Sequence, residues 1–151
     1  ASQGETFFPL PFSIKGMDMS FSGLLTAAVE LLREKKYCLE DVCFSLQEVA
    51  FSMLTEVTER ALAHTEKTEV VLTGGVGANK RLQSMIRVIA DERDASFSKV
   101  PTEFAIDNGA MIAFAAALRL RNSDCANQGA PAHAFSVKPR WPLGSLEPVN
   151  A

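Results

Sequence analysis

The chain has 151 residues, 47% hydrophobic and 22% charged, with 15 basic and 18 acidic side chains and a formal net charge of −3. Such proportions suit one soluble globular domain with a single core and exclude a disordered chain. With no long basic run, any affinity for nucleic acid needs a local patch or a partner, because phosphate binding rests largely on Lys and Arg.

Residues 1–19 read as an extended lead-in, with Pro9 and Pro11 restricting the backbone around Phe7, Phe8 and Phe12. A helix is expected over 20–35, with Phe21, Leu24, Leu25, Ala28 and Leu32 on one face. Ser20 or Asp18 is the expected cap. A serine nucleophile there would need a base beside it, and neither His64 nor His133 is near in sequence. A longer helix follows over 39–64, on which Leu39, Val42, Leu46, Val49, Met53, Val57 and Ala61 step by three and four residues. That stripe reads as helix–helix packing. His64 falls at the helix C-terminus, where imidazole is a favourable dipole partner.

The segment from Glu69 to Asn79, EVVLTGGVGAN, is the most informative. A short apolar run ends in three glycines within four residues, and an amphipathic pattern follows at once. Residues 70–73 read as a strand buried on both faces. The glycine turn brings bare backbone toward a ligand, and the helix over 79–92 opens behind it with N–H groups for an anion. Leu82, Met85, Ile86 and Ile89 should face inward on that helix. Residues 95–100 read as a second strand, completing a βαβ unit with parallel strands and a right-handed crossover.

After a short loop, Asp107-Asn108-Gly109 leads into a helix whose residues 110–118 are apolar nearly all round and are expected inside, covered on both sides. That stretch is far short of the ~20 residues that cross a bilayer, and the N-terminus has no signal-peptide pattern. Residues 123–151, with Pro131, Pro139, Pro142 and Pro148, read as an irregular surface tail. Cys38, Cys43 and Cys125 lack C-x-x-C spacing, so a disulfide framework or zinc site is not expected, and a reducing cytosolic compartment fits best. The chain does not begin with Met, and a fragment of a longer protein is expected.

Four residues are candidates for chemistry. Gly74 and Gly75 follow the carboxyl end of the first strand, and Asp107 follows that of the second. Open α/β sheets bind ligands along that edge, so the glycines and Asp107 are expected on one side of one crevice. Asp107 is either a helix cap or a carboxylate that holds a cation or orients a substrate. Asn79 is either a cap or a nucleotide contact, since its amide both donates and accepts. Lys80 and Arg81 could neutralise phosphate but fit an exposed first turn. A dinucleotide fingerprint matches poorly, because Lys80 stands where the third glycine belongs.

Three blocks then resemble one family in order and spacing. LPFSIKGMDMSFSG at 10–23, TGGVGANKRL at 73–82 and IDNGAMIA at 106–113 are similar to the tRNA threonylcarbamoyladenosine transferases, the catalytic subunits of the KEOPS complex and their bacterial relatives. These were long labelled O-sialoglycoprotein endopeptidases or glycoproteases. Similarity runs from about residue 7 to 121, and Gln47-Glu48 and Glu59-Arg60-Ala61 fit the family's long helix. The wording KGMD resembles the eukaryotic and archaeal branch.

The resemblance implies an α/β chain forming the C-terminal portion of an actin-like ATPase fold, with a parallel βαβ core and packed helices. It implies transfer of a threonylcarbamoyl group from its adenylate to N6 of the adenosine beside a tRNA anticodon. Gly74, Gly75 and Asn79 would match nucleotide contacts to ATP or threonylcarbamoyl-AMP. Asp107 would match one ligand of a divalent metal, zinc or iron, whose histidines, an H-x-x-x-H pair, this sequence does not contain. The implied partners are tRNA and the kinase-like and accessory KEOPS subunits, without a membrane, and the implied location is the cytoplasm and also the nucleus. A half-cleft inactive by itself is expected. The alternatives are a non-catalytic actin-like module that scaffolds a complex, and the old metalloprotease label, for which no H-E-x-x-H motif occurs.

Overall fold

The computed structural model describes residues 1–106 and 108–122. The chain divides into two units, Ala1–Ala105 and Ile106–Ala151. The first opens on a strap and a small antiparallel hairpin, β1 (Ile14–Lys15) and β2 (Asp18–Met19), with Lys15 opposite Asp18. Gly16 turns it at φ +65°, a conformation that favours glycine. The expected loop-like lead-in is thus partly ordered by local pairing.

Two helices follow, α1 (Ser22–Arg33) and α2 (Leu39–Thr65). Neither Ser20 nor Asp18 caps α1. Phe21 holds the cap position without a side-chain bond, and Asp18 is spent in the hairpin. On α1 only Leu24 and Ala28 are buried, whereas Phe21 and Leu25 of the expected face are exposed. The long helix carries the fold. Val42, Val49 and Met53 of its expected stripe are buried, but Leu39 is exposed at its first turn.

Phe51 and Leu62, outside that stripe, are buried as well, because α2 is covered on two sides. One cluster joins Val49 and Met53 to Leu24 of α1, with Leu10, Ile14 and Met19 packed on it. The other joins Phe51 to Leu82, Ile86 and Ile89, against Val70, Leu72 and Phe97. Ala50 touches both clusters.

The second cluster belongs to the βαβ unit: β3 (Glu69–Leu72), α3 (Lys80–Glu92) and β4 (Ser96–Lys99). The strands pair in parallel, with Val70 opposite Phe97 and Leu72 opposite Lys99, as the pattern predicted. Leu82, Ile86 and Ile89 point inward as expected, and Met85 is half-buried. The strand is not buried on both faces, however: Val71 is 62% exposed. A two-stranded sheet backed by helices on one side covers only alternate residues. The expected loop after β4 contains a short helix, α4 (Thr102–Ala105).

In the second unit, α5 (Gly109–Asn122) forms where predicted. Its cap is Asn108, whose Oδ1 accepts from the Met111 N–H at 2.9 Å. Asp107 and the tail 123–151 lie outside the described residues. Among the described residues Met111, Ile112, Phe114 and Leu118 are exposed. Among the described residues no helix is long and apolar enough to cross a membrane.

Candidate nucleotide-binding site

Leu72 ends β3 half-buried against the cluster that includes α3, and the chain must then reverse within a few residues to start that helix. Gly74 makes the break at φ +90° and ψ 165°, a backbone region essentially restricted to glycine. Gly75–Ala78 then winds as one 3₁₀ turn, closed by the Gly77 N–H on the Gly74 carbonyl and the Asn79 N–H on the Val76 carbonyl, both at 2.9 Å. Gly77 is buried over Leu72, where an added Cβ would lie 3.3 Å from Leu72 Cγ. Around Gly74 and Gly75 nothing approaches a built Cβ within 4 Å, so the side-chain space at these two positions is open. Gln83 steadies it from α3 by donating Nε2 to the Gly77 carbonyl at 2.7 Å.

Asn79 caps α3. Its Oδ1 accepts from the N–H of Arg81 at 2.9 Å and, at the long limit of 3.5 Å, from that of Leu82. These first-turn groups, expected to be open to an anion, are therefore already occupied by a side chain. Asn79 Nδ2 donates to Gln47 Oε1 of α2 at 3.1 Å. An amide nitrogen carries two hydrogens, so one remains for a ligand.

Beside Gln47, Glu48 takes the Arg81 guanidinium in a fork: Nε reaches its two oxygens at 2.8 and 3.1 Å, and Nη2 reaches Oε2 at 2.6 Å. These bonds hold the guanidinium pKa above its ordinary value. Arg81 is thus committed to Glu48, while Lys80 is exposed as expected.

Asn79, Lys80 and Arg81 line a cavity of about 510 Å³ with Phe44, Gln47 and Glu48 of α2 and with Ala1, Ser2 and Gly4 of the strap; Gly74 and Gly75 are not among its lining residues. The strap that closes it is tied to α2. Asp41 Oδ1 accepts the N–H groups of Glu5 and Thr6 at 2.8 and 3.0 Å, and the buried Ser45 hydroxyl accepts that of Phe8 at 2.8 Å. Two backbone donors favour the charged form and lower the Asp41 pKa.

Gln47 and Glu48 are the site residues that the candidates omitted. Their place on α2 was predictable, but nothing in sequence shows that they face Asn79, 32 positions away. Asp107 lies outside the described residues, so its expected cap and metal roles and its place beside the glycine turn are not seen. Among the described residues no three His, Cys, Asp or Glu side chains gather into a metal site. A zinc or iron centre normally takes three or four protein ligands, so the described residues alone do not fit the implied metal.

Comparison with known proteins agrees with the blocks in the sequence. The family model described as TsaD, tRNA N6-adenosine threonylcarbamoyltransferase, matches residues 1–114. A tRNA N6-adenosine threonylcarbamoyltransferase of Methanothrix thermoacetophila is 48% identical over 97% of this chain and 44% of its own length. Its counterpart in Thermococcus sibiricus is 54% identical over 76% of the chain and 35% of that protein. A probable bifunctional tRNA threonylcarbamoyladenosine biosynthesis protein of Methanococcus maripaludis is 54% identical over 81% of the chain and 22% of that protein. The chain spans less than half the length of these curated relatives. With most of its length matched by the family model and its glycine turn, Asn79 and long helix in place, the chain belongs to the tRNA N6-adenosine threonylcarbamoyltransferase family.

Proposed function

We propose that this chain is the C-terminal part of a tRNA threonylcarbamoyladenosine transferase and holds one wall of its nucleotide cleft. In the whole enzyme the reaction is transfer of a threonylcarbamoyl group from its adenylate to N6 of the adenosine beside the anticodon. The observation that carries the reading is Asn79, whose amide has one N–H left over and which lines a cavity of about 510 Å³, with the side-chain space at Gly74 and Gly75 open just before it in the chain. Gly74 and Gly75 let a nucleotide approach the backbone, Asn79 donates to it, and Lys80 supplies positive charge at the rim. An actin-like arrangement fits the parallel βαβ unit and its packed helices.

Asp107 is proposed as one ligand of a divalent zinc or iron centre completed by side chains from outside this chain. When bound, such a metal supplies Lewis acidity. Kinase-like and accessory KEOPS subunits are the proposed partners, the cytoplasm and nucleus the proposed location, and the isolated chain is proposed to bind nucleotide weakly without turning over. A scaffolding role is the second reading, favoured by the exposed apolar side chains of α5 and by Leu25 and Val29 of α1.

The test is an NMR titration of MgATP, up to about 10 mM, into the unsubstituted chain and Asn79→Ala. Millimolar affinity corresponds to only ~4 kcal/mol, which half a cleft can supply. Saturable shifts centred on residues 74–80, and severalfold weaker in Asn79→Ala, are expected. No saturable shift in the unsubstituted chain overturns the nucleotide reading, and equal affinity in the variant removes Asn79 from the site.

A further inference from the structure

We propose that Gln47 is the positioning residue of the nucleotide site, fixing the direction of the one N–H that Asn79 can give to a ligand; the inference rests on the nucleotide reading above. An asparagine side chain has two acceptor lone pairs and two donor hydrogens. The α3 cap uses the oxygen, through the N–H groups of Arg81 and Leu82. That requirement also decides the amide orientation, because the nitrogen cannot accept from a backbone N–H. Gln47 Oε1 then takes one Nδ2 hydrogen at 3.1 Å. With both ends anchored on different helices, rotation about either side-chain bond of Asn79 breaks at least one hydrogen bond. The second Nδ2 hydrogen has a single direction, set before any ligand arrives.

Neighbouring contacts keep Gln47 itself in register. It is half-buried on α2, and the next residue, Glu48, grips Arg81 two positions beyond Asn79. The two pairs, Gln47–Asn79 and Glu48–Arg81, run side by side between α2 and the start of α3 along one wall of the cavity. The ion pair holds the helices together. The amide pair, which carries no net charge, orients a donor. A donor that is already aimed loses less freedom on binding, which is what preorganisation contributes to affinity.

Gln47→Leu keeps the approximate size of the side chain and removes the acceptor. Gln47→Glu keeps an acceptor. The Arg81 and Leu82 amides report on the Asn79 cap directly, since a first-turn N–H has no partner within the helix. In Gln47→Leu their hydrogen exchange should quicken about three- to tenfold, the effect of one neutral hydrogen bond, and MgATP should bind weaker by a similar factor. The Val49 and Met53 amides in the middle of α2 should keep the unsubstituted rate, which a general loss of stability would not allow. Gln47→Glu should restore the slow exchange at Arg81 and Leu82.

Unchanged exchange and unchanged MgATP affinity in Gln47→Leu would overturn the inference. So would faster exchange with unchanged affinity, because Gln47 would then support the helix and not the ligand. If the unsubstituted chain binds no MgATP, the nucleotide reading falls and takes this inference with it. If it binds and the variant matches it, the inference falls alone.

Discussion

The three glycines of the turn stand in three different physical situations, so substituting each by alanine should give three different results. Gly74 sits at φ +90° and ψ 165° with nothing within 4 Å of a built Cβ. An alanine there meets no neighbour, and its whole cost is backbone strain, about 1–3 kcal/mol for this region. Gly75 has neither a positive φ nor a close neighbour. Alanine there only restricts the unfolded chain, which stabilises by about 0.4–1 kcal/mol. At Gly77 the new methyl would press Leu72 Cγ at 3.3 Å, a side chain that packs against the second core cluster. That crowding offsets the entropic gain, so its result should fall between the other two.

Urea denaturation of the chain and the three variants measures the order directly, with stability falling as Gly75→Ala, Gly77→Ala, Gly74→Ala. The separation between the extremes should be about 1–3 kcal/mol, the strain at Gly74, because the restriction of the unfolded chain is common to both variants. The dependence on urea should keep the same slope, since none of the variants alters how much surface unfolding exposes. Gly74→Ala as stable as Gly75→Ala, with both above the unsubstituted chain, would refute the strained turn. Gly75→Ala as damaging as Gly74→Ala would show that contacts absent from the structure govern the segment.

Asp41 makes the strap pH-sensitive. Its folded pKa is lowered by the Thr6 and Glu5 N–H groups, so its contribution is complete above the unfolded value of ~3.9 and is lost as pH falls through the lower folded value. Exchange of the Glu5 and Thr6 amides should quicken on acidification below that range, and Asp41→Asn should flatten the response. Amides that stay equally protected through the range in the unsubstituted chain would contradict the tie. Arg81→Ala leaves Glu48, whose side chain is only 15% exposed, without its fork, while Arg81 itself is half exposed. Screening keeps the expected loss to about 1 kcal/mol, and 1 M salt should reduce the difference between variant and parent. A loss that is the same at low and high salt would point to packing of the arginine stem instead. Asn79→Ala, besides its effect on nucleotide, should cost about 1 kcal/mol through the lost cap; thermal denaturation of the chain measures this, and an unchanged midpoint would contradict the cap.

Periodicity and glycine placement in the chain itself decided the long helix, the parallel βαβ unit, the inward face of α3 and the position of the turn, because these are set within one turn of helix or one strand of their residues. The blocks at 10–23, 73–82 and 106–113 also identified the family, which the comparisons bear out. Tertiary structure decided what depends on cover and on distant partners. A residue's hydrophobicity states that burial would be favourable, not that a surface is present to bury it. Val71 is exposed for that reason, while Phe51, off the main stripe, is buried between α2 and the βαβ unit. The second role of Asn79 was hidden in the same way: a cap depends on neighbours two and three positions away, whereas its bond to Gln47 exists only because α2 and α3 pack together.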